Sequence, residues 1–425
     1  MEKLAGFRDF YPEPLPFPDA WSHDLRQRIF EAWRSTARRY GFREYDGPPL
    51  EPLELFTMKS GTEIVGQLYC FSDKGDRQVS LRPEMTPTLA RMVAAAERHY
   101  KKPIKWFAMP QLFRYERQQK GRLREHFQFN ADVFGENDRA ADAELIALMI
   151  DSLRALGLTK ADFVVRLSSR NAWQDFFTAN GGKPDEAYQF FQIVDKLERE
   201  TDEASQLALQ KLGFSLDQVR GFITSAVPST ELAAILDNLA ARGLSDFVKL
   251  DYGVIRGLAY YTGPVFEAFD RQGKFRAIAG GGRYDSLVKL ISGGKVDLPG
   301  LGFGMGDVVL GELLKDRGLA ACGGSGPDTY VLIEDETFRG ESLLLVQMLR
   351  DAGLATEFSL TPLKADKQFK RAMELQAVHT VRVERGSAEA GAVGVLQARV
   401  RHLKSREERV LDLEAAVAHL RSLKV

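Results

Sequence analysis

A cationic segment near the end of the first quarter of the chain holds the densest group of chemically active side chains. Residues 113–128 read Phe-Arg-Tyr-Glu-Arg-Gln-Gln-Lys-Gly-Arg-Leu-Arg-Glu-His-Phe-Gln, with five cationic residues around Gly121. Guanidinium groups bind phosphate oxygens in pairs, so such a segment can enclose a polyphosphate. On an extended strand Arg114 and Glu116 share one face, which places an acceptor for an amino group beside the phosphate clamp. Taken alone, the pattern fits a solvated, charged β-hairpin at least as well.

A shorter segment, Leu81-Arg-Pro-Glu-Met-Thr-Pro87, ends an apolar run with a carboxylate and a hydroxyl held between two prolines. Glu84 and Thr86 can together receive an ammonium group. They can also mark the end of a strand and the N-cap of the following helix, which is the more common role of such residues.

A third segment, residues 254–263, places Arg256, Tyr260 and Tyr261 in an otherwise apolar run, and residues 279–285 (Ala-Gly-Gly-Gly-Arg-Tyr-Asp) follow it. Glycines there open the backbone to close approach. Buried tyrosines more often only satisfy their own hydroxyl groups in a core. Residues 302–306 (Gly-Phe-Gly-Met-Gly) lack the lysine or the βαβ context of a nucleotide-binding loop, which argues against a dehydrogenase.

These segments must be positioned by helices and strands, and the pattern of those elements in the sequence predicts an α+β fold with a largely antiparallel sheet. Apolar residues at spacings of four predict a helix over Asp19–Tyr40, and a second helix is expected over 87–98. Runs of β-forming residues predict strands over 78–81, 104–109, 129–134, 265–269 and 275–279.

Three domains follow from changes in this pattern along the chain. Residues 170–244 have helical periodicity and form a predicted helical insertion, so that 1–169 and 245–322 belong to one domain. After a flexible stretch at 322–327, strands alternate with helices. That alternation predicts a separate α/β domain over 327–425.

Length and composition bound the class of protein. At 425 residues, 44% hydrophobic and 28% charged, the chain is expected to be globular and cytoplasmic, with no signal peptide and no membrane contact. The 58 basic and 59 acidic residues nearly cancel, so any contact with nucleic acid must come from local patches. Cys70, Cys322 and six histidines without metal-binding spacing argue against structural metal and disulfides.

Taken in order, these motifs resemble those of the histidyl-tRNA synthetases over essentially the whole chain. Residues 6–12 resemble the opening motif of that family, and 48–51 resemble class II motif 1, which lies at the dimer interface. Residues 114–128 resemble motif 2. Residues 256–261 and 279–285 resemble the two histidine-specific motifs, and the last hundred residues resemble the class IIa anticodon-binding domain.

The resemblance implies a class II antiparallel sheet, a helical insertion and a C-terminal anticodon-binding-like α/β domain. It also implies a homodimeric ligase that activates histidine with ATP and Mg²⁺, as a substrate complex, and transfers it to tRNA-His. No structural metal bound to the protein is expected. The alternative is a synthetase-like paralogue that binds histidine without charging tRNA, such as an ATP phosphoribosyltransferase regulatory subunit. That subunit family lacks the C-terminal domain.

The resemblance further assigns roles to individual residues. Arg114 and Arg256 would stabilise charge on the α-phosphate, and Arg256 would stand where other class II enzymes use a metal ion. For ATP, the resemblance implies that adenine contacts Glu116 and His126, and that the outer phosphates contact Arg122 and Arg124. For histidine, it implies contacts with Glu84, Thr86, Gln128, Arg256 and Tyr261, and contacts of the imidazole with Asp132 and Tyr260. The tRNA acceptor end would contact Gln119.

Three positions depart from the family pattern. Ala259 stands where the family usually has aspartate, and His126 takes the place of the aromatic residue that stacks on adenine. Val309 stands where motif 3 normally ends in an arginine that covers the other face of adenine. Both sides of the expected adenine site are therefore altered.

Overall fold

The computed structural model describes residues 2–58, 66–115, 121, 123–197, 200–225, 227–255, 261–321, 326–386 and 395–424. The chain divides into two compact units, Met1–Cys322 and Gly323–Val425. Within the described ranges, no helix is both long and apolar enough to cross a membrane.

The strands of the first unit are mostly short, and they surround the longer strands of one central sheet. In chain order they are β1 (Phe10–Tyr11), β2 (Trp21–Ser22), β3 (Arg43–Glu44), β4 (Leu50–Pro52), β5 (Tyr69–Ser72), β6 (Gln78–Leu81), β7 (Ile104–Ala108), β8 (Gln111–Phe113), β9 (Glu125–Phe134), β10 (Phe163–Ser169), β11 (Val248–Leu250), β12 (Pro264–Asp270), β13 (Ala279–Arg283) and β14 (Gly300–Gly306).

The helices of the first unit cover this sheet and fill the segment between β10 and β11. They are α1 (His23–Arg39), α2 (Leu53–Thr57), α3 (Thr86–Ala96), α4 (Arg139–Arg154), α5 (Arg170–Ala179), α6 (Ala187–Lys196), α7 (Asp202–Gln210), α8 (Leu216–Ser225), α9 (Thr230–Ala241), α10 (Leu287–Ile291) and α11 (Asp307–Asp316).

The central sheet has nine strands among the described residues, in the order β11-β10-β12-β13-β14-β9-β7-β3, with β8 also paired to β9. Its middle, from β10 through β12, β13, β14 and β9 to β7, is antiparallel throughout. Only the outer pairs, β10 with β11 and β3 with β7, are parallel. The predicted α+β fold with a mainly antiparallel sheet is confirmed.

Helix α1 begins four residues later than the apolar stripe predicted, at His23 instead of Asp19. The Ser22 hydroxyl accepts a hydrogen bond from the amide of Leu25 at 3.0 Å and so caps the helix. Trp21 and Ser22 instead pair with Phe10 and Tyr11 in a short parallel ladder. The stripe itself faces the core, since Ile29 and Trp33 are buried.

The strand predicted over 275–279 is wrong, because the strand runs through the glycines at Ala279–Arg283 instead. Close packing between the neighbouring strands β13 and β14 explains why glycine is needed. A Cβ atom on Gly281 would lie 2.2 Å from the carbonyl oxygen of Gly302. The glycine cluster is therefore part of the sheet and allows the two strands to approach.

Residues 170–244, predicted as a helical insertion, contain helices α5 to α9 and belong to the first compact unit. Their aromatic side chains join the core that the sheet also forms, with Trp173, Phe177 and Phe190 fully buried. The indole of Trp173 donates to the carbonyl oxygen of Tyr252 at 2.9 Å. These helices are thus packed against the domain that they interrupt.

The second unit is an α/β domain around a sheet in the order β16-β15-β17-β18-β19. Its first three strands are parallel and the remaining pairs are antiparallel. Its elements are β15 (Thr329–Leu332), α12 (Arg339–Asp351), β16 (Thr356–Phe358), α13 (Ala365–Glu374), β17 (His379–Arg385), β18 (Leu396–His402), β19 (Glu408–Leu411) and α14 (Leu413–Leu423).

Candidate active site

Strand β9 carries three polar side chains on one face, at alternate positions, opposite the glycines of β14. Gln128, Asn130 and Asp132 alternate as a strand requires, and Asp132 pairs in register with Gly302. A Cβ atom on Gly302 would lie 2.0 Å from Oδ1 of Asp132, and one on Gly304 would lie 2.3 Å from Nε2 of Gln128. The glycines therefore clear the space that these side chains occupy.

We call the small cavity over this face the inner pocket, which has a volume of about 60 Å³. It is lined by Glu84, Thr86, Arg114, Gln128, Asn130, Asp132, Tyr261, Gly280, Tyr284, Gly302, Phe303 and Gly304.

Asp132 is the buried acid of the inner pocket, and only one of its oxygens is paired. Oδ1 accepts a hydrogen bond from the Tyr284 hydroxyl at 2.5 Å, whereas Oδ2 is buried with no partner among the described residues. Burial raises the pKa of Asp132 to about 7, although the Tyr284 hydrogen bond acts to lower it. Oδ1 of Asn130 is also buried without a partner. The pocket therefore offers acceptors for a polar ligand.

Glu84 and Thr86 reach the inner pocket from the turn between β6 and α3. Thr86 is the first residue of α3 and is buried. Nε of Arg114 donates to the carbonyl oxygen of Pro83 at 3.0 Å. The amide of Phe113 donates to the carbonyl oxygen of Arg82, also at 3.0 Å. These bonds hold the turn against the residues that follow β8.

We call the larger, open cavity beside the inner pocket the outer cleft, which has a volume of about 230 Å³. The two cavities share Arg114, Gln128, Gly280 and Gly304, so they are continuous. The remaining lining residues of the outer cleft are Gly121, Leu123, His126, Glu267, Arg276, Ala277, Ile278, Ala279, Gly306, Val308 and Val309.

His126 presents an uncharged ring to the outer cleft at neutral pH. Burial, assisted by the positive charges of Arg114 and Arg8, lowers the pKa of His126 to about 3. Val309 also lines the cleft, and a Cβ atom on Gly121 would be 3.4 Å from its Cγ2 atom. The outer cleft therefore offers a neutral ring and an aliphatic side chain to a ligand.

A buried ion cluster, formed by Arg8, Glu125 and Asp307, fixes the start of β9. Nε of Arg8 lies 2.6 Å from Oε1 of Glu125, and NH1 lies 2.8 Å from Oδ2 of Asp307. Oε2 of Glu125 also accepts from Gln111 at 3.0 Å, and Oδ1 of Asp307 accepts from the Phe127 amide at 2.9 Å. The cluster joins residues 6–12 to both β9 and α11, and so positions His126.

A second buried pair fixes residues 279–285. NH2 of Arg283 lies 2.5 Å from Oδ2 of Asp142 on α4, and both side chains are buried. NH1 of Arg283 donates to the carbonyl oxygen of Glu136 at 2.8 Å. Arg283 therefore holds the strand that carries Gly280, and the next residue, Tyr284, reaches Asp132.

Most sequence-predicted site residues that the structure describes lie in these two cavities. Glu84, Thr86, Gln128, Asp132 and Tyr261 line the inner pocket, His126 lines the outer cleft, and Arg114 lines both. Arg124 is not among the lining residues, and its guanidinium carbon lies 4.3 Å from the centre of the Tyr115 ring. Outside the described residues lie Glu116, Gln119, Arg122, Arg256, Ala259 and Tyr260.

The sequence interpretation missed four residues that the structure places in or behind the site. Asn130 could have been found, because it lies between Gln128 and Asp132 in the same alternation. Tyr284, Arg276 and Arg8 reach the site through contacts with residues far away along the chain, which the sequence pattern does not indicate. Within the described residues, no cluster of three histidine, cysteine or acidic side chains could hold a metal ion.

Comparison with known proteins gives the family. The family model described as histidyl-tRNA synthetase matches residues 18–306. The histidine–tRNA ligase of Opitutus terrae is 46% identical over 88% of each chain. The chloroplastic/mitochondrial histidine–tRNA ligase of Arabidopsis thaliana is 38% identical over 92% of this chain and 82% of its own length.

Solved structures share the fold at lower identity. Histidyl-tRNA synthetase from Nostoc sp. PCC 7120 superposes with a TM-score of 0.76 at 22% identity, covering 97% of this chain and 99% of that one. A Bacillus halodurans structure described as an ATP phosphoribosyltransferase regulatory subunit/histidyl-tRNA synthetase gives 0.70 at 22% identity, over 87% and 96%.

Fold and site together define a class II aminoacyl-tRNA synthetase. Within that class the chain belongs to the histidyl-tRNA synthetase family. The non-charging paralogue weighed above is not favoured, because the relatives that cover most of this chain are histidine–tRNA ligases.

Proposed function

We propose that this protein joins histidine to tRNA-His in two steps, the first of which forms histidyl-adenylate from histidine and ATP. The observation that supports this most directly is the unpaired Oδ2 of buried Asp132, in a pocket that opens into an arginine-bearing cleft. An imidazole N–H would satisfy that oxygen. The carboxylate end of the same amino acid would then point toward Arg114, at the junction of the two cavities.

The inner pocket would bind histidine through complementary polar groups. Asp132 accepts from one imidazole nitrogen, and Tyr260 contacts the other, as the family resemblance implies. Glu84 and Thr86 bind the ammonium group, and Gln128 and Tyr261 line the space around it. A substrate without the imidazole would leave Asp132 buried and unpaired, which costs about 1 to 3 kcal/mol and so excludes it.

The outer cleft would bind ATP, which enters with Mg²⁺ as its substrate complex. His126 and Glu116 hold adenine, and Arg122 holds the outer phosphates. Arg124, to which the resemblance gives the same role, would first have to leave its contact with the Tyr115 ring. A carboxylate oxygen of histidine attacks the α-phosphorus, the bond to the bridging oxygen breaks, and pyrophosphate leaves. Arg114 and Arg256 stabilise the charge that develops on the α-phosphate oxygens.

In the second step, a hydroxyl of the terminal tRNA ribose attacks the adenylate carbonyl and AMP leaves. Gln119 faces the acceptor end, and the C-terminal α/β unit, Gly323–Val425, reads the anticodon. The enzyme acts as a homodimer through residues 48–51. Leu50 is exposed there, whereas the Glu51 carboxylate is buried and receives a hydrogen bond from Arg91 at 2.7 Å.

Histidine-dependent exchange of pyrophosphate into ATP tests the first step. The purified protein should catalyse exchange with histidine and not with the other amino acids. Tight binding of histidine without any exchange at millimolar ATP would instead identify a non-charging paralogue.

Aminoacylation of tRNA-His tests the second step. Because every residue assigned to ATP and histidine precedes Cys322, a chain that ends near Gly326 should keep exchange and lose charging at limiting tRNA. Unchanged charging by that shortened chain would exclude an anticodon-reading role for the C-terminal unit.

A further inference from the structure

The described lining of the outer cleft carries few positive charges for a site that is proposed to hold a triphosphate. Among its described lining residues the cations are Arg114 and Arg276, and Glu267 is an acid. His126 is neutral at physiological pH because its pKa is lowered to about 3. Gly280, Gly304 and Gly306 form the floor of the cleft and add no side chains of their own.

The two arginines face the cleft from opposite sides of that glycine floor. Arg114 follows β8, which pairs with β9 on one side of the floor. Arg276 precedes β13, in the connection from β12 on the other side. A phosphate chain lying over the floor strands β13 and β14 would therefore pass between the two guanidinium groups.

The connection that carries Arg276 is held in place by hydrogen bonds. The carboxylate of Asp270 accepts from the amides of Gln272 at 3.1 Å and Lys274 at 2.9 Å. The Ile278 amide donates to the carbonyl oxygen of Ala268 at 2.8 Å. Arg276 thus extends from a fixed backbone, while its own side chain is exposed to the cleft.

We propose that Arg276 binds the phosphates of ATP from the side of the cleft opposite Arg114. This assignment rests on the proposed function, since it takes the outer cleft as the ATP site. A planar guanidinium pairs with two phosphate oxygens at once, which a lysine cannot do. Without Arg276, the described lining would keep one cation against one acid and would have no net attraction for a polyanion.

Arg276→Ala should raise the KM for ATP in pyrophosphate exchange about tenfold, the loss of one charged contact. The KM for histidine should stay the same. Arg276→Lys should recover part of the loss because it keeps the charge and loses the paired geometry. Lys274→Ala is the matched control, since Lys274 lies in the same connection, pairs with Asp316 at 3.0 Å and does not line the cleft.

Direct binding separates phosphate recognition from adenine recognition. In competition with a fluorescent ATP analogue, Arg276→Ala should weaken ATP and tripolyphosphate by a similar factor and leave adenosine unchanged. Equal weakening of adenosine, or unchanged binding of ATP and tripolyphosphate, would overturn the assignment. If the wild-type protein shows no exchange, the proposed function fails, whereas these binding measurements still decide the role of Arg276.

Discussion

Strand β9 begins at one buried acid and carries a second near its end, and the surroundings of the two acids differ. Glu125, at its first residue, has both oxygens paired, with Arg8 and with Gln111. Asp132, seven positions later, has one oxygen paired with Tyr284, and the other is buried without a partner in the described ranges. Both acids are almost fully buried, at 1% and 2% exposed, so burial alone does not separate their roles.

The two acids differ in whether every buried oxygen has a hydrogen-bond partner. A fully paired carboxylate is typical of a structural role, and an unpaired oxygen indicates a place where a ligand can bind. A buried polar group left unpaired costs about 1 to 3 kcal/mol, and folded proteins leave few of them. The ion cluster of Arg8, Glu125 and Asp307 is complete within the chain. The set around Asp132 lacks a donor to Oδ2 among the described residues, and the proposed histidine ligand would supply one.

The largest effect is expected from breaking the complete cluster. Arg8→Ala leaves two buried carboxylates without their cation, and should lower the free energy of unfolding by about 3 to 5 kcal/mol. Urea denaturation measures this. Arg220→Ala is the control, because its pair with Asp202 is exposed and should contribute little. Equal effects of the two substitutions would show that the buried cluster does not support the fold.

A smaller effect, on the KM of histidine alone, is expected from substitution of Asp132. Asp132→Ala should raise the KM for histidine about ten- to a hundredfold, because the ligand loses an ionised acceptor worth about 1.5 to 3 kcal/mol. The KM for ATP should change little. Tyr284→Phe leaves the carboxylate but removes its hydroxyl partner, so its loss should be smaller. A parallel rise of both KM values would refute the assignment of Asp132 to histidine.

The dependence of stability on pH gives a third test. Because the folded-state pKa of Asp132 is raised to about 7, above the ordinary 3.8, the folded protein binds this proton more tightly than the unfolded chain. That contribution to stability is complete below the unfolded pKa and is lost as the pH rises through 7. Between pH 6 and 8 the ligand-free wild type should lose about 1.4 kcal/mol relative to Asp132→Asn. A constant difference between the two proteins would contradict the raised pKa.

The smallest effect is expected at His126, between the two acids. Its lowered pKa leaves the ring neutral at pH 7, so His126→Phe changes no net charge in the cleft. A larger aromatic face should lower the KM for ATP a few-fold and leave the KM for histidine unchanged. A marked fall in exchange at saturating ATP would show that His126 does more than stack.

The sequence predicts local elements well, but it predicts contacts between residues far apart along the chain poorly. Strand β6 begins and ends where its run of β-forming residues predicted, and Gln128 with Asp132 follow from alternation on one strand. The sequence pattern places the glycines of β13 after a strand and not within one. Glycine is required there because β14 packs closely against β13, and that contact is visible only in the folded structure. The role of Arg8 could not be predicted either, because its partners lie 117 and 299 residues away along the chain.

The glycines under the two cavities bear on the stability of the protein as well as on the shape of the site. At Gly302 and Gly304 the space that a Cβ atom would take is filled by the side chains of Asp132 and Gln128. Each glycine in a strand costs roughly 0.5 to 1 kcal/mol relative to alanine. Under the proposed function, histidine and ATP would bind against these side chains, and a ligand at a hundred times its Kd adds about 2.7 kcal/mol of stability. Both substrates together should therefore raise the melting temperature of the protein, and depletion of histidine would remove part of that stabilisation.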